Sequence, residues 1–240
     1  MLVTEPIVIF LSLYTGFNFS VLFAFFAAFP YVFKSVYNFS IEESGLVFLS
    51  LGIGCFLALG TVVLCDRLLY QPHVRASFAA GKNGIVVPEY RLYPALIGCF
   101  GMPISLFWFG WTARSDVSWA SPVVAAIPFG WANLSIFIGK APHPLFVWTK
   151  LTTNEAAAAY LVDTYQATNS ASALAANGIL RYTLGAIFPL FTIQMYRGLG
   201  IDWATSLLGF VAVALIPVPW VLFKWGHIIR LKSNYDTLKI

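Results

Sequence analysis

The residues best equipped for chemistry in this sequence are polar side chains stranded in apolar surroundings. Arg181 is the clearest of them, a guanidinium inside the apolar run 171–195. A charged side chain at the centre of a bilayer costs about 2.5–3.5 kcal/mol on insertion scales, so it must pair, reach water or line a polar path. At helical spacing Arg181 shares one stripe with Asn177, Gly185 and Pro189, because positions four apart lie on the same face. That stripe should face a bundle interior or a water-filled cavity. Two roles stay open for it: a solute or proton path, or an arginine that ties helices together through a carbonyl or carboxylate. By topology the nearest carboxylates are Asp66 and Asp163. Tyr14, Asn18 and Ser20 in the first apolar run, Asn133 in the fourth and Gln194 in the fifth pose the same choice between lining a pore and making one interhelical hydrogen bond.

Other chemistry finds no support. His73, His143 and His227 are scattered, and Cys55, Cys65 and Cys99 have no CxxC spacing, so neither a metal site nor a disulfide framework is expected. No phosphate-cradling loop, HExxH pattern or nucleophile–base arrangement is present. The reading is of a protein that is not an enzyme and carries no cofactor.

The elements that must position these residues follow from composition. The chain of 240 residues is 59% hydrophobic and only 10% charged, whereas a soluble domain needs about 25% charged residues to wet its surface. Lipid must therefore be the solvent for most of it. Six stretches, 7–33, 44–65, 92–113, 122–139, 171–195 and 203–223, approach the roughly 20 apolar residues needed to cross a bilayer, the fourth being the shortest. The expected fold is all-α: a single six-helix transmembrane domain over 1–240. Glycines and prolines inside the runs, such as Gly52, Gly54, Pro217 and Pro219, are tolerated where neighbouring helices pack closely and satisfy the backbone.

Charge then sets an orientation. Arg67, Arg75, Lys82 and Arg91 in one loop and Lys224, Arg230, Lys232 and Lys239 in the tail fall on one side of a six-crossing zigzag. Only Lys34, Arg114 and Arg197 fall on the other. The positive-inside rule places both termini and the 224–240 tail in the cytoplasm, and faces the Asn38-Phe39-Ser40 glycosylation sequon outward. Residues 1–6 carry no basic run typical of a cleavable signal, and the chain begins as though part of a longer one. The net charge of +4 is spread over loops, which argues against nucleic-acid binding.

One stretch breaks the pattern. Residues 140–155, KAPHPLFVWTKLTTNE, bring two lysines and two prolines where the fourth helix should still be running. Without them 122–139 would join 156–165 as one apolar helix. The stretch reads either as a loop or re-entrant segment, or as an insert foreign to the protein, such as a retained intron.

Several motifs carry a family resemblance: YLVDTY at 160–165, SALAANGILR at 172–181, GAIFPLF at 185–191 and WATSLLGF at 203–210. Earlier in the chain EPIVIFLSLY, DRLLY and PEYRL fit as well. Together they resemble the C-terminal half of fungal drug:proton antiporters of the major facilitator superfamily, among them polyamine and multidrug exporters of the plasma membrane. The resemblance implies a twelve-helix transporter in which substrate sits between two six-helix halves, near the midplane. It implies a small-molecule substrate, protons as coupling ion if the N-terminal half is present, and another transporter half as partner in the lipid bilayer. Arg181, Asn177, Asn18, Tyr14 and Gln194 become candidates for substrate or coupling roles. Asp66, Arg67, Glu89, Arg91 and Asp163 become candidates for gating or for structuring loops. A membrane fragment or scaffold that pairs with full-length relatives without transporting is the alternative.

Overall fold

The computed structural model describes residues 5–79, 81, 87–137, 156–231 and 233. Among these every regular element is helical. Six rods alternate in direction: α1 (Pro6–Tyr37), α2 (Ile41–Ala79), α3 (Pro88–Thr112), α4 (Ala120–Phe137), α5 (Ala156–Leu199) and α6 (Ile201–Leu231). All but α4 contain an apolar stretch long enough to cross a membrane, and α4 is the shorter apolar helix that the sequence suggests.

The helix ends follow local chemistry. Pro6 opens α1, where a missing N–H costs nothing, and Asn38 closes it in the left-handed conformation. Ser40 starts α2 with a reciprocal cap: its hydroxyl accepts from the Glu43 N–H while the Glu43 carboxylate accepts from the Ser40 N–H. The sequon is thus part of a tight helix-to-helix turn. In α2 the residues Asp66–Tyr70 are π-helical, the Gln71 N–H returning to the Asp66 carbonyl. At α3 the first turn, Pro88–Leu92, is 3₁₀.

Residues 156–165 differ from the sequence expectation. They form the opening turns of α5 rather than the end of α4. No glycine or proline stands between 156 and 177 and alanines dominate, so propensity gives the helix no reason to stop. The segment 140–155 lies outside the described residues.

The apolar windows of α1 and α3 are 67% buried, against 28% in α2, 22% in α5 and 33% in α6. So α1 and α3 form the middle of the bundle, with α5 laid along α1 and α4 along α2 and α3. Close approach fixes the α2–α4 crossing. A Cβ on Gly54 would lie 2.3 Å from the Ile127 carbonyl oxygen, and one on Gly130 2.5 Å from that of Leu51. Lipid offers no hydrophobic gain for joining helices, so such small-residue contacts and buried polar bonds must hold them. The main core is aromatic, built on Phe25, Phe29, Phe33, Phe109 and Phe129. A second cluster, with Ile7, Leu92, Tyr160, Tyr165 and Leu222, fills the end where α1, α3 and α5 begin.

Candidate functional site

Two groups of polar residues emerge, one along α1 and one at the end of the bundle where α1 begins. Along α1 the face holding Tyr14 and Asn18 turns into the bundle. Tyr14 packs with Ala95, Cys99 and Ile136, and the Asn18 amide donates to its own Tyr14 carbonyl at 2.6 Å. From α4 the Asn133 amide donates to the Asn18 carbonyl at 3.2 Å. The Tyr14 hydroxyl, the Asn18 side-chain oxygen and the Ser12 hydroxyl are buried without a hydrogen-bond partner among the described residues. Leaving such atoms unmet costs roughly 1–3 kcal/mol each, which makes this seam a place suited to water or a polar solute.

The neighbouring face of α1 meets the polar stripe of α5. The Thr15 hydroxyl donates to Asn177 Oδ1 at 2.7 Å. A turn further on, the Arg181 backbone crosses Gly16, and Gly185 lies against the Phe19 ring. Arg181 is 8% exposed. Its guanidinium lies over the rings of Phe19 (5.2 Å) and Tyr182 (4.9 Å) and donates to the Tyr182 hydroxyl at 2.9 Å. The stripe therefore faces α1. Asp163 is not the partner of Arg181: eighteen residues along the same helix put it roughly 27 Å away at 1.5 Å per residue. Asp66 is bonded instead to Gln71, whose amide donates to it at 3.2 Å. Gln194 turns its amide back to the Leu190 and Phe191 carbonyls of its own helix.

At the end where α1 begins, charges join four helices. Arg91 is paired with Asp163, tying α3 to α5, and the Arg91 guanidinium lies 5.8 Å from the Tyr70 ring of α2. Two residues earlier in α3, Glu89 takes Arg230 from α6: one guanidinium nitrogen sits 2.9 and 3.0 Å from the two carboxylate oxygens. Both side chains of this pair are almost wholly buried. Gly226, one turn before Arg230, makes the room, for a Cβ there would lie 2.7 Å from Glu89 and 3.0 Å from the Tyr160 hydroxyl. Beside it the buried Glu5 carboxylate accepts from the Tyr165 hydroxyl at 2.9 Å and the Ser233 hydroxyl at 2.8 Å. Arg67 stands on the exposed side of α2 and is not drawn into this network.

The gating candidates Glu89, Arg91 and Asp163 are thus gathered at one place, while Asp66 and Arg67 flank it. Sequence reasoning missed Glu5, Tyr160, Thr15 and Arg230. Arg230 counts in the sequence only as one more basic tail residue. Its signal was the Gly226–Arg230 spacing, a gap and a cation on one helical face.

Comparison with known proteins shows what the chain is similar to. The chain is 37% identical to polyamine transporter 4 of Saccharomyces cerevisiae, over 98% of its own length and 36% of that protein's. It is 36% identical to the citrinin biosynthesis cluster MFS transporter mrr1 of Monascus ruber, over 98% of itself and 42% of that protein. Against the major facilitator superfamily multidrug transporter mdrA of Aspergillus fumigatus the figures are 37%, 98% and 35%. No family model and no solved structure matches the chain.

The chain is therefore related, over nearly all of its length, to the fungal transporters of the major facilitator superfamily, as the motifs imply. Those relatives are transporters and not enzymes. It spans about two fifths of the length of the curated relatives it matches.

Proposed function

We propose that this chain is the C-terminal half of a proton-coupled exporter of organic cations or other small hydrophobic compounds, competent only with a first half. The observation that carries this is the match of nearly the whole chain to proteins named as polyamine transporter, multidrug transporter and efflux pump, over 36%, 35% and 37% of their length. The α1 seam of Tyr14, Asn18 and Asn133 is its share of the solute path. Large apolar side chains exposed on α2 and α5, such as Phe56 at 72% and Leu190 at 75%, suit lipid or a second half.

The test is export of a fluorescent organic cation from yeast lacking its own drug exporters. The chain joined to the first half of a relative should export; the chain alone should not. No export by the joined protein at normal abundance would sink the proposal. Within the joined protein, Arg181→Ala should lower transport more than abundance, and Arg181→Lys should rescue only partly, since an ammonium is not a planar guanidinium lying on rings. An equal fall in abundance and transport would make Arg181 a packing residue.

The proposed site is the plasma membrane, with both termini cytoplasmic. The basic residues of the α2–α3 loop and the tail support that orientation. Cysteines placed at the exposed positions Ser35 and Ala76 decide it. An impermeant thiol reagent on intact cells should label the first and spare the second, and the reverse pattern overturns the orientation.

A further inference from the structure

A cleft opens between the end of α2 and the start of α3, away from the α1 seam. It is shallow, with room for about one water-sized group, and Asp66, Tyr70, Tyr90 and Tyr93 line it beside Val62 and Pro94. The rings are held in place. Tyr90 and Tyr93 lie nearly parallel, 5.7 Å apart with 8° between planes, and His73 stacks on Tyr90 at 4.1 Å. The Arg91 guanidinium lies 5.8 Å from the Tyr70 ring, and Tyr70 shares the cleft wall with Asp66. Arg91 is already committed to Asp163. That leaves the Asp66 carboxylate with one neutral donor, the Gln71 amide at 3.2 Å, and with no cation paired to it among the described residues.

We infer that this cleft binds a primary ammonium group. Aromatic faces attract a cation through the ring quadrupole, and a carboxylate beside them supplies a charge-assisted acceptor. The hydroxyls of the three tyrosines and Asp66 are acceptors for N–H donors, which a quaternary ammonium lacks. At 39 residues, α2 rises roughly 58 Å, well beyond the ~30 Å hydrocarbon core. Its Asp66–Ala79 end can thus stand at the water boundary. The ammonium can come from a soluble alkylamine or from an ethanolamine lipid headgroup.

The test uses the whole chain in nanodiscs of phosphatidylcholine, with labelled n-butylamine as probe in equilibrium dialysis. Saturable binding at one site per chain is expected. Asp66→Asn should weaken it at least tenfold, and Tyr90→Leu about threefold or more, in keeping with one cation–π contact. Asp116→Asn, an exposed carboxylate at the opposite end, should leave it unchanged. Tetramethylammonium should compete at least tenfold less well than ethylamine.

Unchanged binding in Asp66→Asn, equal competition by tetramethylammonium, an equal loss in Asp116→Asn or no saturable binding overturns the proposal. If Asp66→Asn does not fold, Tyr90→Leu carries the same test, and wild-type affinity in it is the overturning result. Repeating the assay in phosphatidylethanolamine discs separates the two sources. A tenfold or greater fall in butylamine affinity identifies the headgroup as occupant, and an unchanged affinity identifies a soluble amine.

Discussion

The two ends of the bundle are joined by different forces. Where α1 begins, the ties run through carboxylates: Glu89 with Arg230 and Arg91 with Asp163 as ion pairs, and Glu5 as acceptor from two hydroxyls. Where α1 ends, rings and neutral bonds carry most of the ties, beside an exposed Arg114–Asp116 pair and the Arg197 guanidinium 5.8 Å from the Tyr31 ring. Phe33 stacks with Phe39, Tyr31 meets Tyr196, and Trp111 meets Trp203. Around them the Tyr37 hydroxyl donates to the Thr112 and Arg114 carbonyls at 3.2 and 3.0 Å, and the Trp111 indole donates to Ser206 at 3.1 Å. Ring packing has one good arrangement and fades gradually when disturbed. Ion pairs are directional, and water or another charge can take either partner. An end held by charge can open and close again without rebuilding a core, while an end held by rings serves better as a hinge.

Breaking the buried pair should have the largest effect. Arg230→Leu leaves Glu89 charged and enclosed, a loss of about 3–5 kcal/mol for such pairs. It should appear as a large fall in folded yield and in melting temperature in detergent. The double variant Glu89→Leu with Arg230→Leu should recover most of it, because an apolar pair of similar volume is often as stable. If the double variant is as unstable as the single, the tie is more than a charge balance.

At the other end, Phe109→Ala removes a ring packed on Phe25 at 5.7 Å and Phe29 at 5.2 Å. The expected loss is about 3 kcal/mol, read as a lower melting temperature that does not change between low and high salt. A salt-dependent loss would erase the contrast between the ends. The smallest effect belongs to Asp163→Asn. Its pair with Arg91 is partly exposed, so about 1 kcal/mol or less is at stake. That difference should shrink further as added salt screens the pair. Melting curves of wild type and variant at two salt concentrations decide it.

Most of the architecture was legible because membrane helices announce themselves locally. The six apolar runs, the short fourth one and the closeness of Asn177, Arg181 and Gly185 to a neighbouring helix follow from hydropathy and a 3.6-residue period. What was not legible depends on partners far apart in the chain. Arg181 invites a carboxylate by its charge alone, yet it is surrounded by Phe19 and Tyr182 because α1 happens to present a ring at that height. Arg230 lies 141 positions from Glu89, and no local pattern links the two. Residues 156–165 looked like the close of one helix because they are apolar. Their alanine content equally allows the start of another, and only packing chooses.

The π-helical stretch Asp66–Tyr70 bears on how this segment tolerates a change of length. A π turn is what a helix makes of one surplus residue when both flanks are already anchored. Removing Leu68 or Leu69 would let the stretch relax to ordinary α geometry while Val62 and the Gln71–Ala79 turns kept their places. Tyr70 precedes Gln71 directly and would keep its place with that flank, as Asp66 would with Val62. A chain one residue shorter would be just as well folded, and its carboxylate and its ring would still share a wall.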